Sequence, residues 1–237
     1  MSVAFHSDAG CYPTDKLVGT FMFYTITGDD KETTYPAGGD RICNRDFADY
    51  IQTQIVEDIR QTMMPTWQKR HLMQKSMSET RNPKVPSTII ELLSHHNYYD
   101  MTFGLDPKFK FIVSRAIYKG MLRFIHQTTG TPYVVQPLPV QQMNVTYANN
   151  DTLQIRWAER VDSLEPTATP SYYVLYTRTS QLKDGEWQTT DWDNGVVVKQ
   201  NNATMAIQRG VKYDFMVRAG NNGGVSMPSE VMSAYID

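Results

Sequence analysis

An α/β domain followed by an all-β sandwich is the architecture this sequence predicts, and three observations predict it. Residues 1–131 run strand, strand, helix, strand, helix, the order of an α/β unit. Residues 132–136, at the start of a stretch holding Pro132, Pro137 and Pro139, show no period and read as a linker. From 137 to 237 the pattern becomes short alternating runs between turn residues, with room for about seven strands, the spacing of a β-sandwich.

The elements of the first part follow from composition and period. Ser2 to His6 reads as a short buried strand, followed by a loop over Ser7-Asp8-Ala9-Gly10. Leu17 to Thr25, rich in Val, Phe, Thr and Tyr, is a second strand. Gly28 to Asp40, with three glycines and several charges, is a loop. Phe47, Ala48, Ile51, Ile55, Ile59 and Met63 recur at three- and four-residue steps, so a helix is expected over 45–63, with Asn44 or Asp46 able to cap it. Val85 to Leu93 is an apolar run with a single charge, Glu91, and reads as a central strand. Asp106-Pro107 opens a second helix: an N-cap, then a proline whose missing N–H costs nothing at the first helical position. Its buried face is Phe109, Ile112, Val113, Ala116, Ile117, Met121 and Phe124, and Gly130 and Pro132 end it.

Bulk properties narrow the partners. The chain has 237 residues, 41% hydrophobic and 20% charged, with a net charge of -2 and a pI near 6.2. No Lys/Arg stripe suggests nucleic acid. No apolar run approaches the roughly 20 residues that span a membrane. Cys11 and Cys43 are compatible with one bridge or with two free thiols. Met1 to His6 reads as a strand already under way. With the thin core that so few elements would bury, this leads us to expect the C-terminal part of a longer protein. The lack of a secretory signal then says nothing about compartment.

In the second part, Leu153, Ile155 and Trp157 alternate with Gln154 and Arg156, and Tyr172, Val174 and Tyr176, then Tyr213, Phe215, Val217 and Ala219, are read as the buried faces of strands in the same period of two. Gly210-Val211-Lys212-Tyr213-Asp214-Phe215-Met216-Val217-Arg218-Ala219-Gly220-Asn221, with Gly224, Ser226, Pro228 and Ser229, resembles the end of a fibronectin type III domain. The resemblance makes Tyr213 the tyrosine-corner residue and Trp157 the core tryptophan of the second strand.

Two groups in the first part carry chemistry. His6 closes a strand, and Glu91 sits in an apolar strand, where a carboxylate needs a partner or a metal. Ligands of α/β sheets collect outside the carboxyl ends of strands, where both could lie. A histidine ligand with a nearby carboxylate base points to metal-assisted hydrolysis. A strand-end histidine is nonetheless often structural, and such a glutamate is often a satisfied acceptor.

Val3-Ala4-Phe5-His6-Ser7-Asp8-Ala9, then Val18-Gly19-Thr20-Phe21-Met22-Phe23-Tyr24, resembles the zinc-dependent N-acetylmuramoyl-L-alanine amidases. So does Pro86-Ser87-Thr88-Ile89-Ile90-Glu91-Leu92-Leu93, like the family's strand bearing the catalytic glutamate, and the helix through Ala116-Ile117-Tyr118-Lys119-Gly120. The likeness is nearest to divergent envelope proteins of Bacteroides-type bacteria, some labelled xanthan lyases, in which this domain precedes a fibronectin-like one. It implies that His6 is a Zn2+ ligand and Glu91 the general base. It also implies a peptidoglycan substrate and a periplasmic, cell-surface or secreted location. The family's other two ligands, a histidine and a glutamate, precede this region, so a partial, inactive site is expected here. Asp8 could support His6 or cap a loop; His95 and His96 could touch substrate or metal or be exposed loop residues; His71 and His126 receive no role. The competing expectations are a non-catalytic glycan-binding envelope protein and, on the family label alone, a polysaccharide lyase.

Overall fold

The computed structural model describes residues 1–9 and 13–237. It divides into two compact units, Met1–Tyr133 and Val134–Asp237, so the boundary falls inside the stretch read as a linker. Cys11 and Gly10 lie outside the described residues, and with them the question of a Cys11–Cys43 bridge.

The first unit holds strands β1 (Ser2–Asp8), β2 (Thr20–Tyr24), β3 (Lys69–Gln74) and β4 (Ser87–Ser94), and helices α1 (Cys43–Thr62), α2 (Ser78–Arg81), α3 (Tyr98–Leu105) and α4 (Pro107–Thr129). The sheet is mixed, in the order β1-β4-β2-β3. β1 runs parallel to β4, β2 antiparallel to β4, and β3 parallel to β2. The strand read over 85–93 is indeed internal to the sheet. β1 is an edge strand and only half-buried, not the buried strand expected: Phe5 is 57% exposed.

α1 packs over β2, β3 and β4, and α4 packs on α1. The core joins Met22, Phe47, Ile51, Ile55, Trp67, Ile90, Phe109, Val113 and Phe124. The two helices approach closely at Gly120, where an added Cβ would lie 2.7 Å from Ile51 Cα. Nearby, Lys119 and Asp58 form a fully buried ion pair of 2.8 Å, with Gln54 donating to the same carboxylate. Such a pair is tolerated in a core only when its remaining hydrogen-bonding capacity is also met.

The start of α1 differs from expectation. Neither Asn44 nor Asp46 caps it; Asp40 instead accepts from Ile42 N–H ahead of the first turn. Asn44 is fully buried and ties three segments together, donating to Thr25 O and accepting from Tyr35 Oη and Ser87 N–H. α4 begins as its sequence implies, with Asp106 accepting from Lys108 N–H, and ends at Gly130 in the left-handed conformation, φ 70°. β3, α2 and α3 were not anticipated.

The second unit is a fibronectin type III-like β-sandwich. One sheet runs β10 (Asn202–Ala206), β6 (Thr152–Ala158), β5 (Gln141–Asn149). The other runs β12 (Gly224–Val225), β11 (Val211–Asn221), β7 (Tyr172–Lys183), β8 (Glu186–Thr189). β13 (Met232–Tyr235) pairs with β11, and β9 (Val196–Val198) with β7. Both sheets feed one core containing Leu153, Ile155, Trp157, Tyr213, Phe215 and Val217. Tyr213 Oη accepts from Gln208 N–H at 3.0 Å, the expected corner bond. The phase of β7 is corrected by one residue: Tyr173 and Leu175, not Tyr172, Val174 and Tyr176, join that core. A one-residue change of phase exchanges the two faces of a strand. Val135 and Leu138 are buried too, so the start of this unit is packed chain rather than free linker.

Candidate functional site

The parallel β1–β4 pair sets His6 directly beside Glu91, at the carboxyl end of both strands. Register partners in a parallel pair project to the same face, so the two side chains share the sheet face away from α1. Phe21 of the antiparallel neighbour β2 lies opposite Glu91 on the other side. The two residues singled out as candidate catalytic and metal-binding groups are thus brought together.

Glu91 is half-buried, and its Oε2 atom is buried without a hydrogen-bond partner. Burial raises its pKa above the ordinary carboxylate value; His6 and Arg70 pull it down, and Asp8 and Glu79 push it up. The result is a carboxylate that takes a proton more readily than an exposed one does.

His6 Nε2 lies 2.9 Å from Glu79 Oε1, so its partner comes from α2. Asp8 does not support His6. Its carboxylate instead binds Arg70 NH1 at 2.7 Å, and that guanidinium also covers the Phe21 ring at 4.8 Å. His71 packs edgewise on Phe21. The site is therefore three carboxylates, Asp8, Glu79 and Glu91, set among one imidazole and one guanidinium. Among the described residues, no group of three His, Cys, Asp or Glu side chains is arranged to hold a metal ion. Among these described residues, His6 is engaged by Glu79 and Asp8 by Arg70.

His95 joins this end of the sheet from the loop after β4: its Nδ1 is 3.0 Å from Ser7 Oγ, and its backbone N–H donates to Asp8 O at 3.1 Å. The His96 ring meets that of His95 edgewise at 4.6 Å. His126 Nδ1 sits 3.0 Å from Thr131 O at the end of α4.

Glu79 and Arg70 escaped the sequence reading. Arg70 sits in a largely polar edge strand whose exposed positions show no apolar alternation. Glu79 sits in a four-residue helix too short for a period.

No family model matches the chain, and no curated protein matches it. Solved structures similar to it include titin kinase and its flanking domains, at 18% identity over 44% of this chain and 18% of that one, TM-score 0.33. The third fibronectin III domain of human KIAA0343 protein is similar at 12% identity over 45% of this chain and 86% of that one, TM-score 0.34. The FN5 domain of Drosophila Lar is similar at 16%, 42% and 96%, TM-score 0.30. The chain spans less than a fifth of the titin kinase structure. The strand order and the Tyr213 bond carry the description of the sandwich here. Among the described residues no helix is long and apolar enough to cross a membrane.

Proposed function

We propose that the α/β unit belongs to a cell-envelope hydrolase of the N-acetylmuramoyl-L-alanine amidase kind, with Glu91 as the group that accepts a proton from the attacking water. The observation that carries this reading is the raised pKa and unpartnered buried oxygen of Glu91 beside His6. A carboxylate with raised proton affinity is better suited to take a proton from water than an exposed one. It would take the water's proton as the oxygen attacks the amide carbonyl, then return it to the departing nitrogen. The substrate on this reading is the amide between N-acetylmuramic acid and L-alanine in peptidoglycan, and the protein works in the periplasm or outside the cell. The sandwich serves as an accompanying module.

A second reading has its own observation. His6 bound to Glu79, with no three-ligand group among the described residues, favours a non-catalytic protein that binds envelope glycan. The deciding measurement is release of L-alanine-terminated peptides from purified peptidoglycan by the protein of the complete reading frame, supplied with Zn2+. On the hydrolase reading, Glu91→Gln lowers turnover roughly 10²–10⁴-fold with the fold intact. Equal turnover would remove Glu91 from the mechanism. No cleavage, together with metal-independent cosedimentation with peptidoglycan, would select the binding protein.

A further inference from the structure

On the helix side of the sheet, a cavity of about 380 Å³ opens between the edge strand β1, the end of β4, and helices α3 and α4. This is within the range of small-molecule sites, which run from about 300 Å³ upward. At roughly 30 Å³ per water-sized group, it has room for about a dozen such groups. Its walls are apolar: Phe5, Leu93, Met101, Phe109 and Val113. Gly104 keeps one wall open, since a Cβ there would stand 3.1 Å from Leu93 Cδ2.

Its polar groups are few, and among them His6, whose Nε2 is held by Glu79, lines the edge of the space. Ser7 Oγ and His95 Nδ1 are bonded to each other at 3.0 Å. Lys110 also lines the space, and its ammonium has no carboxylate partner among the described residues. The nearby Ser114 hydroxyl is turned back to Lys110 O at 2.8 Å, so it offers the cavity no free donor. No acidic side chain lines the cavity. An apolar hollow whose rim holds an unpaired cation and a hydroxyl–imidazole pair is complementary to a hydrocarbon with an anionic head.

We propose that this cavity binds a carboxylate with an apolar body, of the size of a medium-chain fatty acid. Its tail lies among Phe5, Met101 and Phe109, and its carboxylate is held by Lys110 with Ser7 or His95. Glu91 does not line this cavity, which shares His6 alone with the cluster described above, so the proposal does not depend on the role given to Glu91.

The test is a calorimetric titration of the full chain with dodecanoate and, separately, with dodecan-1-ol at concentrations below micelle formation. Dodecanoate is expected to bind with one-to-one stoichiometry. Lys110→Gln, at an exposed position that leaves the fold alone, should weaken it about three- to tenfold, as for a partly exposed charge-assisted contact. The alcohol should bind more weakly and be indifferent to that substitution. Ser114→Trp at the rim should abolish both, and Glu91→Gln should change neither. Absence of dodecanoate binding, or binding that ignores both Lys110→Gln and Ser114→Trp, would overturn the proposal.

Discussion

A carboxylate drawn out of water resists ionisation, and Glu91 turns that cost into a measurable pH dependence. Burial raises its folded-state pKa above the ordinary value of 4.5, only partly countered by His6 and Arg70. The folded state therefore binds this proton more tightly than the unfolded chain. The stabilisation is fully present below pH 4.5 and is lost as pH rises through the raised value. Once ionised, Glu91 is less favourable in the fold than in its protonated form. Glu91→Gln should raise the melting temperature of the α/β unit at pH 7, and the difference should close as the pH is lowered toward 4.5. A variant less stable than the parent at pH 7 would mean that an unrecognised donor satisfies the carboxylate. Glu91 was legible in the sequence because it is the one charge in an apolar run. Glu79 and Arg70, which shape its environment, were not, because the chain brings them to the site through segments with no apolar signal.

Elements were legible where one face alone is apolar. α1 and α4 declare themselves by three- and four-residue spacing: Phe47, Ala48, Ile51, Ile55 and Ile59, and Phe109, Ile112, Val113, Ala116 and Phe124, are buried as it selects, while Met63, Ile117 and Met121 are half-buried and polar Gln52, Asp58 and Lys119 are buried beside them. β3 did not, because an edge strand with a mostly wet face shows no alternation. β7 was found but misphased: Tyr172, Tyr173, Val174, Leu175 and Tyr176 are all apolar or aromatic, so period two carries no phase. What the sequence could not reveal at this scale was how near α1 and α4 come. Their approach at Gly120 leaves no room for a methyl group, with Ile51 Cα and Tyr50 O both within about 3 Å of where it would sit. Alanine is the better helix former by about 1 kcal/mol, yet overpacking typically costs about 1–3 kcal/mol. The second effect should prevail because the obstacle is backbone rather than a movable side chain. Gly120→Ala is expected to lower stability by about 1–2 kcal/mol in urea unfolding followed by circular dichroism. An unchanged or higher midpoint would show that the helices can part without loss.

At the scale of the whole chain, the change from helical period to short alternating strands located the two units, but the join needed three-dimensional contacts. Proline spacing suggested a free linker before residue 137. Yet Val135 is fully buried, Leu138 and Val140 nearly so, and all three belong to the sandwich unit. Asn221 Nδ2 donates to Val135 O at 2.9 Å and to Thr167 O at 3.1 Å, and Val135 N–H donates to Thr167 Oγ1 at 3.2 Å. The start of the unit is thus strapped to the turn ahead of β7 and to the end of β11. A side chain as large as Val or Leu contributes about 1.5–3 kcal/mol when buried, so losing Val135 and Leu138 together should cost about 3 kcal/mol or more. Two fragments separate the possibilities. Val134–Asp237 should fold alone and melt cooperatively, because it carries both sheets and its own core. Val140–Asp237 keeps every strand but lacks the strap, and should melt at a clearly lower temperature. It should also leave Asn221 exposed to amide exchange that the longer fragment suppresses. Equal melting temperatures would mean that the strap is an ornament of the native state. Failure of the longer fragment to fold would mean that the sandwich draws stability from the α/β unit.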